Sequence, residues 1–304
     1  MAKKLFLLLI AAAFIFSVNI NAQESKKKNK DKDNDEENFW SNWGKSKWLD
    51  WRLRGNPFIE LDYGFLQPGH NSFNTKFNQI GLGEVKLGYR DMNEGREDYI
   101  LKMKENSVYG SWIKSDFSST DKSLTKFNVE AYRFGFINSE GVGYNLGVIA
   151  IIPYSSGGFG VTSFRKIEFA GVNPGYIYPD NDLIDRYGSD LRFNSINEGG
   201  VKLEIASTIS LSAGYEYSVI YPRLMFWYWA GSEIIESAAE GCLNSFIHRI
   251  ERSSPAAVPI VDMVLKNALS YGFYLLRKDK MNWPFETETP FTFETFKLGV
   301  TFTF

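Results

Sequence analysis

Residues 295–304 alternate without a break: Phe296, Leu298, Val300, Phe302 and Phe304 are apolar, while Thr295, Lys297, Gly299, Thr301 and Thr303 are small or polar. A strand has a period of two, so this segment presents one greasy face and one wet face. A strand ending on Phe304 needs a paired neighbour on each edge, and closure of the sheet into a barrel supplies both.

The same alternation recurs along the chain. Ile59, Leu61, Tyr63 and Phe65 alternate with Glu60, Asp62 and Gly64, and Val85, Leu87 and Tyr89 with Glu84, Lys86, Gly88 and Arg90. Tyr99, Leu101 and Met103 alternate with Ile100, Lys102 and Lys104. Tyr144, Leu146, Val148, Ala150 and Ile152 share one parity, as do Val201, Leu203 and Ile205, and then Leu211 to Tyr221. Gly, Ser, Asn and Asp clusters separate these runs at hairpin intervals, which is weak in each segment and strong in sum. Aromatics make up 16% of the residues, with 16 Tyr and 25 Phe. Beyond the first two dozen residues no run of about 18 uncharged apolar residues occurs, since Ala256 to Leu276 is interrupted by Asp262, Lys266 and Asn267. Passage through a membrane would therefore be by strands closed on one another, because an open sheet edge leaves backbone groups unpaired in lipid.

Residues 1–22 are expected to be a secretory signal, with Lys3 and Lys4 ahead of an apolar run from Leu5 to Val18 and Ala22 at the cleavage point. Residues 23–38 are polar and of low complexity and predict a disordered charged tether. Asp31, Asp33 and Asp35 have calcium-loop spacing, but Glu36 and Asn42 stand where that loop needs Gly and Glu. Residues 39–56 hold Trp40, Trp43, Trp48 and Trp51, which as a helix would fall within an arc of about 140° and suit a membrane–water boundary. Packing on a barrel rim is the alternative.

With these ends, the chain resembles Gram-negative outer-membrane β-barrel proteins as a class. The resemblance covers the export signal and roughly residues 57–304, and its most specific element is FKLGVTFTF at 296–304. It implies an all-β, antiparallel up-and-down transmembrane barrel in the outer membrane, bathed in its lipid. It also implies that the row Phe296, Leu298, Val300, Phe302 and Phe304 is recognised by the barrel-insertion machinery.

Residues 231–266 break the pattern. Ile234, Ile235, Ala238, Ala239, Cys242, Leu243, Phe246, Ile247 and Ile250 recur at three and four, which predicts an amphipathic helix, followed after Pro255 by a second. Asn267 to Leu276 fits either period. A strand there and one long strand over 98–116 give ten strands; two strands in 98–116 and none at 268–277 also give ten. The helical insert departs from the simplest small barrels and is a candidate surface for an envelope protein partner.

The polar faces place Glu60, Asp62, Glu84, Lys86, Arg90, Lys102, Lys104, Lys202, Glu204, Glu216 and Lys297 toward the lumen. A narrow barrel is filled by side chains, so mixed charges there predict an ion-pair network, with Lys297 meeting Glu60 or Asp62. Catalysis has little support: His70 lies in PGHNS and His248 on the insert's polar face. Cys242 is the only cysteine, which excludes an internal disulfide or a cysteine-based zinc site, and no metal or cofactor motif is present. A net charge of −2 argues against nucleic acid. Three Tyr and four Asp in 170–199 could form a sugar or cation site, though rim packing is the plainer reading. The expected function is a filled barrel acting as a membrane platform. The alternatives are a small pore for a small or apolar solute and an envelope hydrolase.

Overall fold

Eight strands hydrogen-bond in chain order and the last returns to the first, so the sheet has no edge. They are β1 Asn56–Gly69, β2 Ile80–Glu94, β3 Ile100–Lys114, β4 Phe127–Asn145, β5 Ala150–Phe169, β6 Leu191–Ala206, β7 Ile209–Ile220 and β8 Phe291–Thr303. Every pairing is antiparallel, including β1 with β8, where Phe58 faces Thr303 and Phe65 faces Phe296. This computed structural model describes residues 55–73, 76–95, 97–114, 127–169, 186–188 and 190–304, with only the backbone at 166, 168 and 169. The expected signal, tether, calcium-type aspartates, Trp40, Trp43, Trp48 and Trp51, and most of the 170–199 aspartates lie outside the described residues.

The pleat sorts each strand into two faces. On β8, Leu298 is 55% exposed and Lys297 2%, one residue apart. Over the middle of the barrel large apolar side chains point outward and charged ones inward, the reverse of a soluble domain.

The count is eight where the sequence suggested about ten. Residues 100–114 form one strand, and 258–277 form one helix, so each of the two expected arrangements is right in one half. The parity shared by Tyr144 and Ile152 also spans a hairpin. Gly147, at φ +90°, turns the chain, and its amide donates to Asn145 Oδ1 at 3.0 Å. Only glycine takes that φ without strain.

Connections at 95–99, 146–149 and 207–208 gather at the same end as Asn56 and Thr303, here the turn end. The strand ends on either side of the longer connections, at 70–79, 115–126, 170–190 and 221–290, lie at the other, the loop end. The last contains α1 (Phe226–Ser253), a short 3-10 turn at Pro255–Ala257 and α2 (Val258–Arg277). These helices fold back along the outside of the cylinder. Trp229 meets Phe193 near the loop end, 5.4 Å between rings. Lys102 donates to Glu251 at 2.6 Å and Tyr144 to the Ala256 carbonyl at 2.5 Å near the turn end. α2 packs on β4, β5, β6 and β7, and α1 packs on α2.

Candidate functional site: the filled lumen and the covered wall

Eight strands enclose a space that side chains fill. At its centre the Lys297 ammonium lies 2.9 Å from Glu84, 2.5 Å from Glu198 and 2.8 Å from Glu216. These three carboxylates come from β2, β6 and β7 and have the mutual spacing of a metal site. The cation that fills it is the chain's own lysine. Arg133 from β4 braces the cluster, 2.5 Å from Glu216 and 3.3 Å from Glu84. Ser111 and Tyr154 donate to Glu84 at 2.6 Å and to Glu198 at 2.5 Å.

Toward the turn end a second tier follows. Lys86 lies 2.8 Å from Glu60 and 3.2 Å from Asp62. Lys202 bridges Glu60 and Glu105 at 2.8 and 2.9 Å, and Arg90 meets Glu105 at 2.6 Å. Arg90 and Lys202 lie over the Phe58 ring, at 5.6 and 5.9 Å. Nearer the turn end, Met103, Ala150 and Ile152 pack with Met92 and Leu101. Toward the loop end, Phe77, Phe127, Phe164, Phe291 and Phe293 pack with Leu66, Ile80 and Leu82 into a plug. His70 and Tyr187 join it from the loops, at 5.9 Å between rings. Burial there pushes the Tyr187 phenol above its ordinary range. The lumen is thus occupied along its height.

Of the expected lumenal set, Glu60, Asp62, Glu84, Lys86, Arg90, Lys202, Glu216 and Lys297 are buried in this network, and Glu204 is half-buried at the turn end of the same row. Lys102 and Lys104 are corrections. They lie on the outer wall, where Lys102 reaches Glu251 at 2.6 Å and Lys104 reaches Glu140 at 3.7 Å. The inward face of β3 there carries Met103 and Glu105 instead. A second correction concerns Lys297. It stands opposite Gly64 on β1, and the closing strand's contact with Glu60 is a hydrogen bond from Thr301 at 2.6 Å. Glu105, Arg133 and Glu198 were not foreseen. Their signal was parity: Arg133 alternates with Tyr132, Phe134 and Phe136, whose exposure sends it inward.

His248 is an exposed partner of Glu251 at 3.2 Å on α1. His70 accepts from the Ser72 amide, a backbone group, at 3.2 Å. Near it a cleft of about 200 Å³ opens between His70, Arg186, Tyr187 and Glu288.

The outer wall has a polar zone. Across it Asn106, Asn138, Gly157 and Asn197 stand abreast on β3, β4, β5 and β6. Asn138 donates to Asn106 at 2.5 Å, and Ser155 and Ser195 flank the row, both buried. The helices cover it. Asn267 donates to the Tyr154 carbonyl at 3.3 Å, and a Cβ at Gly199 would collide with the Asn267 amide. Arg277 lies 2.7 Å from Glu236 and 3.0 Å from Glu233 and donates to Ser232 at 3.0 Å. A gap of about 20 Å³ remains between Ser195 and Asn197 on the wall and Glu236, Glu240 and Arg277 on the helices.

No protein-family model and no curated protein sequence matches this chain. Among solved structures it is similar to Neisserial surface protein A (NspA), with a TM-score of 0.34 and 8% identity over 82% of this chain and 97% of that one. It is also similar to Ail, the attachment invasion locus protein of Yersinia pestis, solved in complex with the heparin analogue sucrose octasulfate. There the TM-score is 0.31 and identity 9%, over 83% of this chain and 100% of that one. Both likenesses are slight.

Proposed function

We propose that the protein resides in the outer membrane of a Gram-negative envelope as a barrel that conducts no solute and serves as a platform. The rigid cylinder holds the helical hairpin and the long connections of the loop end in place for contact with envelope components. The observation that carries this reading is the occupied lumen. Lys297 sits among three carboxylates at its centre, and Phe291 and Phe293 close it toward the loop end. A conduit needs a continuous row of polar groups around open space.

Residence in lipid is supported by the inverted faces: Leu61, Phe134, Phe136, Leu211 and Leu298 are all exposed on the closed wall. An apolar band this extensive on a soluble monomer would drive association. The outward row Phe296, Leu298, Val300, Phe302 and Phe304 is the segment proposed to meet the insertion machinery.

Planar-bilayer recording on the refolded protein tests the platform reading. Silence at voltages that resolve small pores is the expected result. Stepwise conductance would replace the platform with the rival small pore. A mature chain that stays monodisperse in buffer without any amphiphile would remove both.

A further inference from the structure

We propose that α1 and α2 lie within the hydrocarbon layer of the membrane, strapped to the outside of the barrel, with lipid acyl chains as the occupant of their outward face. This rests on the membrane residence proposed above. It identifies which surface of the platform is lipid and which is left for partners.

The wall requires a cover. Asn106, Asn138, Ser155, Ser195 and Asn197 face outward; Ser195 stands abreast of Phe159, Phe136 and Val108, and the asparagine row lies two residues nearer the turn end. Side-chain amides and hydroxyls are poorly solvated by acyl chains and are tolerated at that depth only against protein or trapped water. α2 supplies the protein.

The hairpin is built inside out to match. Along residues 226–247 and 258–277 every charged side chain is buried or half-buried: Glu233 and Glu236 pair with Arg277 across the two helices, and Asp262 with Lys266 within α2. The opposite side exposes Ile234, Ile235, Phe246, Ile260 and Val264. Ile234 and Val264 are 59% and 54% exposed, Glu236 and Arg277 6% and 2%. A helix pair at a water boundary has the reverse arrangement.

The outward apolar face is also continuous with the barrel's own band. It replaces the lipid-facing surface that β4 to β7 lose under the helices, beside Phe134 and Phe136 on one flank and Tyr215 and Leu298 on the other. Height agrees. With 28 and 20 residues, α1 and α2 extend about 42 and 30 Å at 1.5 Å per residue, enough to traverse a hydrocarbon core of about 30 Å. His248, Arg249 and Arg252 are exposed together where the hairpin turns, at the level of Lys102, as expected of groups at the polar boundary. Among the described residues no helix is long and apolar enough to cross a membrane by itself. The hairpin's charges pair with one another, and its polar contacts to the wall, such as Asn267 to the Tyr154 carbonyl, dock it there, so it enters lipid as part of the barrel. Partner contacts then fall to the hairpin turn and the loop end.

The test uses nitroxide labels on single cysteines in a Cys242→Ser background, with the full mature chain in lipid nanodiscs. Labels go to Ile234, Phe246 and Val264 on the hairpin, to Phe134 and Leu298 on the bare wall, and to Val148 in a turn. Collision with oxygen and with a water-soluble nickel chelate is read at each. The expected result is that the hairpin labels behave as the wall labels do, oxygen-accessible and nickel-protected, while Val148 shows the opposite. Nickel-accessible hairpin labels beside lipid-like wall labels would overturn the inference and leave the membrane reading standing. Wall labels that are themselves nickel-accessible would overturn that reading. Hairpin labels protected from both reagents would assign the face to a protein or a second copy and also overturn the inference. For any label that blocks refolding, the unmodified protein serves. A diazirine-bearing acyl chain should mark peptides containing Ile234 to Phe246 and Ile260 to Tyr271 as heavily as those of β8, and failure to mark them overturns the proposal.

Discussion

The lumen and the gap beneath the hairpin are both buried and charged, and one sheet thickness separates them, yet their construction differs. In the lumen every charge projects from a strand locked on both sides by the ladder, and cations and carboxylates alternate across the axis. Around the gap beneath the hairpin the charges belong to the helices, and the wall offers amides, hydroxyls and glycine; only at its edge does a wall carboxylate, Glu294, take Tyr274 and Lys278. The first network cannot come apart without opening the barrel. The second comes apart when α1 and α2 part from each other. The same ionic chemistry therefore sets global stability on one side of the sheet and local docking on the other.

The sharpest way to break this contrast is Lys297→Met. It leaves Glu84, Glu198 and Glu216 facing one another with only Arg133 and Lys86 nearby. Removing one partner from a buried ionic cluster costs about 3–5 kcal/mol, so the urea midpoint of the lipid-refolded barrel should fall sharply with its slope unchanged. An unchanged midpoint would show that the lumen holds water, and the platform reading would weaken with it. One residue away, Leu298→Lys puts the same charge on the lipid side. Near the middle of the outward row the expected loss is about 2–4 kcal/mol, read as a reduced folded fraction that partly recovers in thinner bilayers.

Arg277→Met addresses the other network. It strips the partner from Glu233 and Glu236, but the gap there admits water and the helices can move. The expected cost is about 1–3 kcal/mol, and it should appear as faster amide exchange across α1 and α2 with β1 to β8 unaffected. Gly199→Val, which drives a side chain into the Asn267 amide, should give the same exchange pattern. Loss of exchange protection in the strands as well would mean that the hairpin is integral to the barrel, and the distinction between the two networks would fail.

How far this was legible follows from what each residue faces. A strand's own alternation decides which side a residue takes, so the inward row of β8 and the lumenal places of Glu60, Lys86 and Lys202 could be read directly. Lys102 and Lys104 could not. Near the turn end the apolar parity of β3, Leu101 and Met103, packs inside the barrel with Ala150 and Ile152, which sends the lysines outward. The hairpin was legible as helix and illegible as to side. Its apolar stripe marks a buried face in water and an exposed one in lipid, and both give the same periodicity. Residues 267–276 satisfied both periods, and what makes them helix is that the barrel already closes with eight strands.

The smallest expected effect comes from the contact that ties the two regions together at the turn end. Lys102, 44% exposed, donates to Glu251, which also takes His248. An ion pair in this much solvent contributes about 0–1 kcal/mol, so Lys102→Met should leave the urea midpoint of the barrel within error. Its effect should be confined to the hairpin turn, as modestly faster exchange at residues 248–256, and should fade as salt rises. A shift of the global midpoint comparable to that of Lys297→Met would mean that the turn is buried in a dry environment. The boundary between the hydrocarbon and the polar layer would then have to be redrawn beyond His248, Arg249 and Arg252.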